Sequence, residues 1–296
     1  MIVAAIAPIP GKAGTASPGR SHNLALRIGS ALVLAPLALA AAYYDDWPFA
    51  LFWTLAAVAV LWEWIALVAG AGYRLMFYSG AGAIAVSALV DERGRPITAI
   101  LVIGLGALAV AIFAPRGKRL WIVAGVGYAG TLLLAPMLLR HDQSQGFAGL
   151  GNGFIALLFL FAVVWVTDVL GYFGGRALGG RKLAPAISPG KTWSGAIVGT
   201  IGAMTVTAAG AHVLGDFKIY VVAALALVLS AAAQLGDLLE SRIKRQFGAK
   251  DAGHFIPGHG GVMDRLDGFW AAALVACLIG VARGGLEAPA RGLLGW

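Results

Sequence analysis

Long runs of apolar residues, separated by short polar segments, extend from residue 24 to near the C-terminal end of the chain. They predict an all-α, polytopic membrane protein with about nine transmembrane helices, because most runs approach the roughly 20 residues that a spanning helix needs. The third span is short, and residues 1–23, rich in Pro, Gly and Ser, predict a disordered tail. The predicted spans are residues 24–43, 48–70, 75–90, 97–114, 119–139, 152–175, 194–214, 219–240 and 266–284.

The composition supports this fold class. Of the 296 residues, 59% are hydrophobic and only 12% are charged, whereas soluble domains average roughly 25% charged residues. The one cysteine, Cys277, excludes disulfides and multi-cysteine metal sites within the chain. The net charge of +8 is explained by basic cytoplasmic loops and anionic ligands, so a nucleic-acid partner is not expected.

Basic residues predict the orientation of the spans, because cytoplasmic loops of membrane proteins are enriched in Lys and Arg. With the N-terminus inside, 16 of the 22 basic residues fall on the cytoplasmic side, and loops 176–193 and 241–265 share it. The frequent Ala, Gly and Arg suggest a bacterial source, and hence a bacterial cytoplasmic (inner) membrane. The 16 basic residues predicted to lie on the cytoplasmic side are Lys12, Arg20, Arg27, Arg74, Arg116, Lys118, Arg119, Arg176, Arg181, Lys182, Lys191, Arg242, Lys244, Arg245, Lys250 and Arg265.

Charges within the spans divide the chain into two parts. We predict a membrane scaffold over residues 24–140, whose spans carry one acidic residue, Glu63. We predict a catalytic part over residues 141–296. Two roles stay open for Glu63, a hydrogen bond between helices or a contact in a homodimer, and we leave it outside the site. The charges in or at the ends of the later spans are Asp168, Asp237, Glu240 and Asp267.

A polar stripe follows one face of the eighth span, since its members are spaced 4, 3, 4 and 3 residues apart. Because contact between charges and lipid is costly, the stripe lines either a water-filled ligand cavity or a hydrogen-bonded seam between helices. The combination of carboxylate, hydroxyl and ammonium groups favours the cavity. The stripe consists of Ser230, Gln234, Asp237, Ser241 and Lys244.

Two acidic residues, Asp264 and Asp267, open the ninth span. They stabilise the helix N-terminus, or together with Asp237 they bind a hard divalent cation such as Mg²⁺. Gly260 and Gly261 precede them, and such a glycine-rich loop either lets backbone N–H groups approach an anion or is simply flexible. The nearby cations that suit phosphate groups are Lys244, Arg245, Lys250 and Arg265.

A second phosphate-type element precedes the seventh span. Ser188, Lys191 and Thr192 belong to a Ser-Pro-Gly-Lys-Thr run at a helix start, which can hold a phosphate. The P-loop spacing is absent, and a simple N-cap is the alternative. Asp168 lies towards the cytoplasmic end of the sixth span, on the same side of the membrane as this element. His259 has no second ligand at metal spacing, so we expect a hydrogen bond or a phosphate contact.

The run from Ser241 to Asp267 reads Ser-Arg-Ile-Lys-Arg-x4-Lys-Asp-x5-Pro-x-His-Gly-Gly-x2-Asp-Arg-x-Asp. It resembles the signature of the phosphatidate cytidylyltransferase (CDP-diacylglycerol synthase) family. The upstream Gln-x-Gly-Asp-x2-Glu-Ser and Ser-Pro-x-Lys-Thr elements, the length and the nine-span layout are also similar. Gly190 and Ser194 depart from it, since many members have Lys and Glu there, which puts essential roles at these two positions in doubt.

The resemblance implies transfer of the cytidylyl group of CTP to phosphatidate with Mg²⁺, and a second cation stays open. It places Asp237, Asp264 and Asp267 at the metal centre. A phosphomonoester with a second pKa of about 6 is already largely dianionic at neutral pH, so no protein base is needed. Charge and position assign the phosphate contacts to Lys244, Arg245, Lys250 and His259. The predicted catalytic residues are Asp237, Lys244, Asp264 and Asp267, and the predicted substrate-binding residues are Asp168, Ser188, Lys191, Thr192, Ser241, Arg245, Lys250, His259, Gly260, Gly261 and Arg265.

Two other functions are carried as alternatives. A related membrane lipid kinase or nucleotidyltransferase would use another nucleotide or lipid alcohol. A transporter would show repeated halves and charges at mid-span, whereas the charges here gather at one face of the membrane. The expected partners are CTP, phosphatidate in the bilayer and the membrane itself.

Overall fold

The structure, a computed structural model, describes residues 20–70, 73–142, 149–214, 217–253 and 260–295. Helices dominate these ranges, and one short two-stranded sheet accompanies them. Residues 1–19 of the predicted tail lie outside the described ranges, whereas residues 20–23 belong to the first helix. The elements are α1 (Arg20–Tyr44), α2 (Asp46–Ala69), α3 (Arg74–Asp91), α4 (Pro96–Phe113), α5 (Arg119–Arg140), α6 (Asn152–Leu178), β1 (Lys182–Ala184), β2 (Ser188–Thr192), α7 (Trp193–Leu214), α8 (Ile219–Gln246), α9 (Met263–Gly284) and α10 (Pro289–Leu294).

Seven helices in the described ranges, α2 and α4 to α9, are long and apolar enough to cross a membrane. The prediction of an all-α polytopic membrane protein is therefore confirmed. The predicted number of nine spans is not confirmed. In the described ranges, α3 is less apolar than a spanning helix needs to be, and α1 contributes only the short apolar stretch Leu32–Tyr44. Many large apolar side chains remain exposed on the outer helix faces, as expected where lipid replaces water as the solvent.

Three helices extend beyond the apolar runs that predicted them. α8 ends at Gln246 rather than at residue 240, α6 ends at Leu178 rather than 175, and α9 begins at Met263 rather than 266. Hydropathy shows where a helix leaves lipid, whereas backbone hydrogen bonding continues into the polar region. The extra turns carry the charged faces of α8 and α9 to the same end of the bundle.

A β-hairpin lies between α6 and α7, where the sequence predicted only a loop. β1 and β2 run antiparallel, with Lys182 opposite Thr192 and Ala184 opposite Ser188. The strands are too short to produce a readable alternation of apolar and polar residues. Their pairing matters because it folds the Ser-Pro-Gly-Lys-Thr run back over the end of α6.

α9 packs between the two halves of the chain. Its Phe269 ring stacks on Trp53 of α2 at 4.8 Å, and its Trp270 ring stacks on Tyr128 of α5 at 4.2 Å. The indole N–H of Trp270 also donates to Thr131 Oγ1 of α5 at 2.8 Å. The helix that carries Asp264 and Asp267 is therefore held by the predicted scaffold as well as by α8.

α6 and α7 cross at very short distance. A Cβ placed on Gly199 of α7 would stand 2.5 Å from the carbonyl oxygen of Thr167 in α6. A larger residue would force the helices apart, as at close helix crossings in membranes. This crossing forms the base of the cavity described next.

Candidate active site

A cavity of about 550 Å³ opens between α6, α7, α8 and the β-hairpin, within the usual size range of ligand sites. Its wall includes Asp168 from α6, Lys191 and Thr192 from β2, and Asp237 from α8. The C-terminal ends of α6 and α8 and the N-terminal end of α7 meet there. The structure therefore brings together four site residues that lie far apart in the sequence.

Asp237 connects α8 to the hairpin. The ammonium of Lys191 pairs with its Oδ2, and Ser241 Oγ donates to its Oδ1 at 3.3 Å. The Asp237 side chain is 32% exposed and that of Lys191 is 28% exposed, so both face the open cavity. A polyanionic ligand entering here meets a lysine, and a cation that accompanies it meets a carboxylate.

The polar stripe of α8 serves both of the roles that the sequence left open. At the deeper end, Thr167 Oγ1 donates to Ser230 Oγ and Gln234 Nε2 donates to Thr200 Oγ1, each at 2.9 Å. These bonds join α6, α7 and α8 in a hydrogen-bonded seam. In the middle part of the stripe, Gln234 and Asp237 line the cavity.

Thr192 caps the start of α7. Its Oγ1 accepts the backbone N–H of Gly195 at 3.1 Å, which is N-cap geometry, so the N-cap alternative describes this residue. Ser194 Oγ donates to the carbonyl oxygen of Gly179 at the end of α6. Ser194 is one of the two departures from the family pattern, and it attaches α7 to α6 through this bond. Gly190, the other departure, lines the cavity.

Asp264, in the first turn of α9, is surrounded by donors. Its carboxylate accepts the backbone N–H groups of Ala252 at 3.0 Å and Gly261 at 2.8 Å, and it pairs with the ammonium of Lys244. Lys244 is only 8% exposed and also lies 3.2 Å from Glu240. Lys244 therefore neutralises two acids, and its contact with a substrate phosphate stays a prediction.

Four carboxylates from three helices gather at this end of the bundle. Glu240 and Asp267 lie within hydrogen-bonding distance of each other, and Asp267 Oδ1 accepts the N–H of Gly268 at 2.7 Å. The charges of Asp237 and Asp267 both repel that of Asp168, and the charge of Asp237 repels that of Asp267. The repulsion among Asp168, Asp237 and Asp267, only partly offset by Lys191, favours a cation nearby.

The carboxylate oxygens of this cluster are the donor type that a hard cation prefers. Among the described residues, no group of three His, Cys, Asp or Glu side chains is placed to hold a metal ion by itself. Mg²⁺ usually binds one or two carboxylates and completes its octahedral shell with water and substrate phosphates. Mutually repelling carboxylates beside a cavity of nucleotide size suit this mode of binding.

The other predicted site residues that the structure describes do not line this cavity. Ser188 begins β2 and is half-buried, and Arg245 is exposed and donates to a backbone carbonyl of the following loop at 3.2 Å. Lys250 and Arg265 are exposed, and the charge of Arg265 acts on Asp168. Gly260 has a φ of 87°, a conformation that favours glycine. His259 lies outside the described residues.

Sequence reasoning missed several residues near the site. Arg176 and Lys182 line the cavity and add to its positive charge, although the sequence showed them only as cytoplasmic loop residues. Glu240 was visible as an acid at the end of a span, and it faces Asp267 in the structure. Glu63 was set aside, yet it accepts two N–H groups at the start of α9, so of its two open roles the hydrogen bond between helices is the one observed.

Comparison with known proteins identifies the family. The family model described as "Cytidylyltransferase family" matches residues 25–282. The chain belongs to the cytidylyltransferase family. It is therefore an enzyme, a nucleotidyltransferase of a multi-pass membrane type, and the resemblance found in the sequence is confirmed.

Individual relatives carry a more specific name. A protein of Brucella melitensis named phosphatidate cytidylyltransferase is 42% identical over 261 residues, which cover 87% of this chain and 93% of the relative. A protein of Haemophilus influenzae with the same name is 33% identical over 283 residues, covering 83% of this chain and 94% of the relative. One from Staphylococcus saprophyticus is 44% identical over 146 residues, about half of each chain.

Proposed function

We propose that this chain transfers the cytidylyl group of CTP to phosphatidate, giving CDP-diacylglycerol and pyrophosphate. The observation that carries the proposal is the cavity in which Lys191 and Asp237 pair at the end of three membrane helices. One substrate is soluble and the other is a lipid, so a site at the membrane boundary can receive both. The names of the relatives agree with this reaction.

The reaction joins two anions. A phosphate oxygen of phosphatidate attacks the α-phosphorus of CTP, and the bond from that phosphorus to the oxygen bridging to the β-phosphate breaks. The electron pair leaves with pyrophosphate. Because the attacking phosphomonoester is already largely dianionic near neutral pH, the enzyme contributes positioning and charge neutralisation rather than a general base.

The proposed roles follow from the contacts. Lys191, Arg176 and Lys182 are the cavity cations available to the triphosphate. Lys244 pairs with Asp264 and Glu240 inside the bundle, and Lys250 and Arg265 are exposed cations outside the cavity wall. Thr192 and Ser188 shape the hairpin that presents Lys191.

Mg²⁺ would be held by Asp237 and Asp267, with Asp264 as the third acid of the set. When bound, it would neutralise phosphate charge and help to orient the two reacting groups. The donor set supports this assignment, because hard cations prefer carboxylate oxygens and the repulsion among Asp168, Asp237 and Asp267 is unfavourable without a cation.

Exposed aromatic side chains lie beside residues of the cavity wall, and Tyr172 itself lines the cavity. Tyr172 and Phe173 of α6 are 60% and 61% exposed, and Trp193 at the start of α7 is 55% exposed. Tyr and Trp favour the boundary between lipid and water. These side chains support entry of phosphatidate from the bilayer, with its headgroup directed towards Lys191.

We place the site on the cytoplasmic side of a bacterial inner membrane. The basic residues of loops 176–193 and 241–265 support this orientation, and CTP is a cytoplasmic nucleotide in such a cell. A homodimer stays a prediction.

Two forms of labelled CTP test the reaction. Purified protein, phosphatidate and Mg²⁺ are incubated with CTP labelled at the α- or the γ-phosphate, and the lipids are separated by thin-layer chromatography. We expect label in lipid from α-labelled CTP alone. Label from γ-labelled CTP alone would identify a lipid kinase instead. No label in lipid with either form would contradict the proposed reaction and favour a transferase that uses another nucleotide or another lipid. The Asp237→Asn variant and a reaction with chelator are the controls.

A further inference from the structure

Glu63 lies in α2, in the half of the chain that was expected to be scaffold. Its side chain is buried, with only 1% of the residue exposed. Oε1 accepts the backbone N–H of Val262 at 2.9 Å, and Oε2 accepts that of Met263 at 2.8 Å. Since these N–H groups begin α9, Glu63 attaches α2 directly to the start of the helix that carries Asp264 and Asp267.

α9 has no side-chain cap from its own N-cap residue. That residue is Val262, whose side chain cannot accept a hydrogen bond. The first N–H groups of a helix have no partner within it, and a local Ser, Thr, Asp or Asn usually supplies one, with a stabilisation of about 1 kcal/mol. Here Glu63 supplies the acceptor from a distant part of the sequence, and its carboxylate lies at the positive end of the helix dipole.

The loop before α9 closes tightly around the same carboxylate. A Cβ on Gly253 would stand 2.5 Å from Glu63 Oε1, and one on Gly261 would stand 2.6 Å from Oε2. Glycine alone lets the backbone approach this closely. Gly253 follows Ala252 and Gly261 is three residues before Asp264, so both N–H donors of the Asp264 carboxylate belong to backbone that packs on Glu63.

We propose that Glu63 is a positioning residue for the carboxylates of α9. By fixing the first turn of α9 and the loop before it, Glu63 sets where Asp264 and Asp267 stand relative to Asp237. Stacking of Phe269 on Trp53 extends the same α2–α9 contact deeper into the bundle, so the first turn is the end that Glu63 controls. The inference rests on the proposed metal role of these acids.

The test compares metal binding with stability. Glu63→Gln keeps the size of the side chain, but its amide can accept only one of the two N–H groups and turns an NH₂ towards the other. We expect Mn²⁺ binding, measured by electron paramagnetic resonance on protein in detergent, to weaken by roughly 10- to 100-fold, as for other residues that orient metal ligands. The Mg²⁺ concentration for half-maximal activity should rise in parallel.

The matched control is Asp91→Asn, the same carboxylate-to-amide change at a residue that is 1% exposed and lies at the opposite end of the bundle, beside His141. Its melting temperature is expected to fall while its Mn²⁺ affinity stays at the wild-type value. If Glu63→Gln binds Mn²⁺ as tightly as wild type, even with a lower melting temperature, Glu63 is only structural and the inference is wrong. A wild-type protein that neither binds Mn²⁺ nor needs a divalent ion would overturn the metal assignment itself, and the inference with it.

Discussion

At the scale of single residues, the acids of this site differ in what surrounds them. Asp264 is enclosed by two backbone N–H groups and the ammonium of Lys244. Asp237 is partly exposed and touches Lys191 and Ser241. Asp267 faces Glu240, another acid. Asp264 therefore organises the loop and α9 in addition to its proposed metal role, whereas Asp237 keeps its side chain open to the cavity.

We expect Asp237→Asn and Asp267→Asn each to reduce turnover by about 100-fold or more, since losing a metal ligand removes several kcal/mol of transition-state stabilisation. Asp264→Asn should lose a similar amount of activity and also lower the melting temperature, because it breaks the ion pair with buried Lys244. Activity and thermal unfolding are measured on the same purified samples.

The control for these three variants is Asp46→Asn, an exposed acid at the other end of the bundle, which should keep wild-type activity. Near-normal turnover of Asp264→Asn or Asp267→Asn at saturating Mg²⁺ would show that the acid stabilises the helix start and does not bind metal.

At the scale of elements, polar contacts tie helix ends together at both faces of the bundle. On the face away from the cavity, His141 follows α5 and stands between two acids at the end of α3. Its Nδ1 is 3.3 Å from Asp91 Oδ2, and its Nε2 is 3.3 Å from Glu92 Oε1. Burial alone would lower the pKa of His141, but the hydrogen bond to Glu92 and the charges of Asp91, Glu92 and Asp45 outweigh it, so the pKa is raised.

This junction gives the protein a pH-dependent stability. Because the folded pKa of His141 lies above its unfolded value of about 6.5, the junction stabilises the protein fully below that value and loses this contribution as pH rises through the folded pKa. We expect the melting temperature of wild type minus that of His141→Gln to fall as the pH is raised from 6 to 9. A difference in melting temperature that stays constant or grows over this range would contradict the stabilising role of protonated His141.

At the scale of the whole molecule, α5 to α9 alternate in direction, and this brings the polar segments to one end. The C-terminal ends of α2, α6 and α8 and the N-terminal ends of α5, α7 and α9 lie at the cavity end, as shown by contacts such as Glu63 with Met263 and Trp121 with Phe247. The hairpin and the loop before α9 therefore share one face.

Both segments should be cytoplasmic. Cysteines placed singly at Ala184 and Ala252, in a Cys277→Ser background, are expected to resist an impermeant thiol reagent in intact cells and to react once the membrane is opened. A cysteine in place of Trp47, exposed at the opposite end, should react in intact cells and serves as the matched control. Labelling of either cytoplasmic position in sealed cells would reverse the proposed orientation.

The sequence by itself determined the class of the fold and the family, and it singled out the residues of the candidate site. Apolar runs of spanning length can form only helices in lipid, because every backbone polar group must bond within its own segment. The charges of Asp168, Asp237, Asp264 and Asp267 stood out for the same reason, since each is costly near lipid unless it has a partner. The spacing of the stripe on α8 followed from helical periodicity alone.

Tertiary structure decided which of these groups meet. The pairing of Lys191 with Asp237 depends on a hairpin whose strands are too short to read from a pattern. The enclosure of Asp264 depends on backbone N–H groups, which carry no signature in the sequence. The cap that Glu63 provides joins residues 199 and 200 positions apart. Such long-range contacts arise only when the helices pack, so periodicity and local motifs cannot specify them.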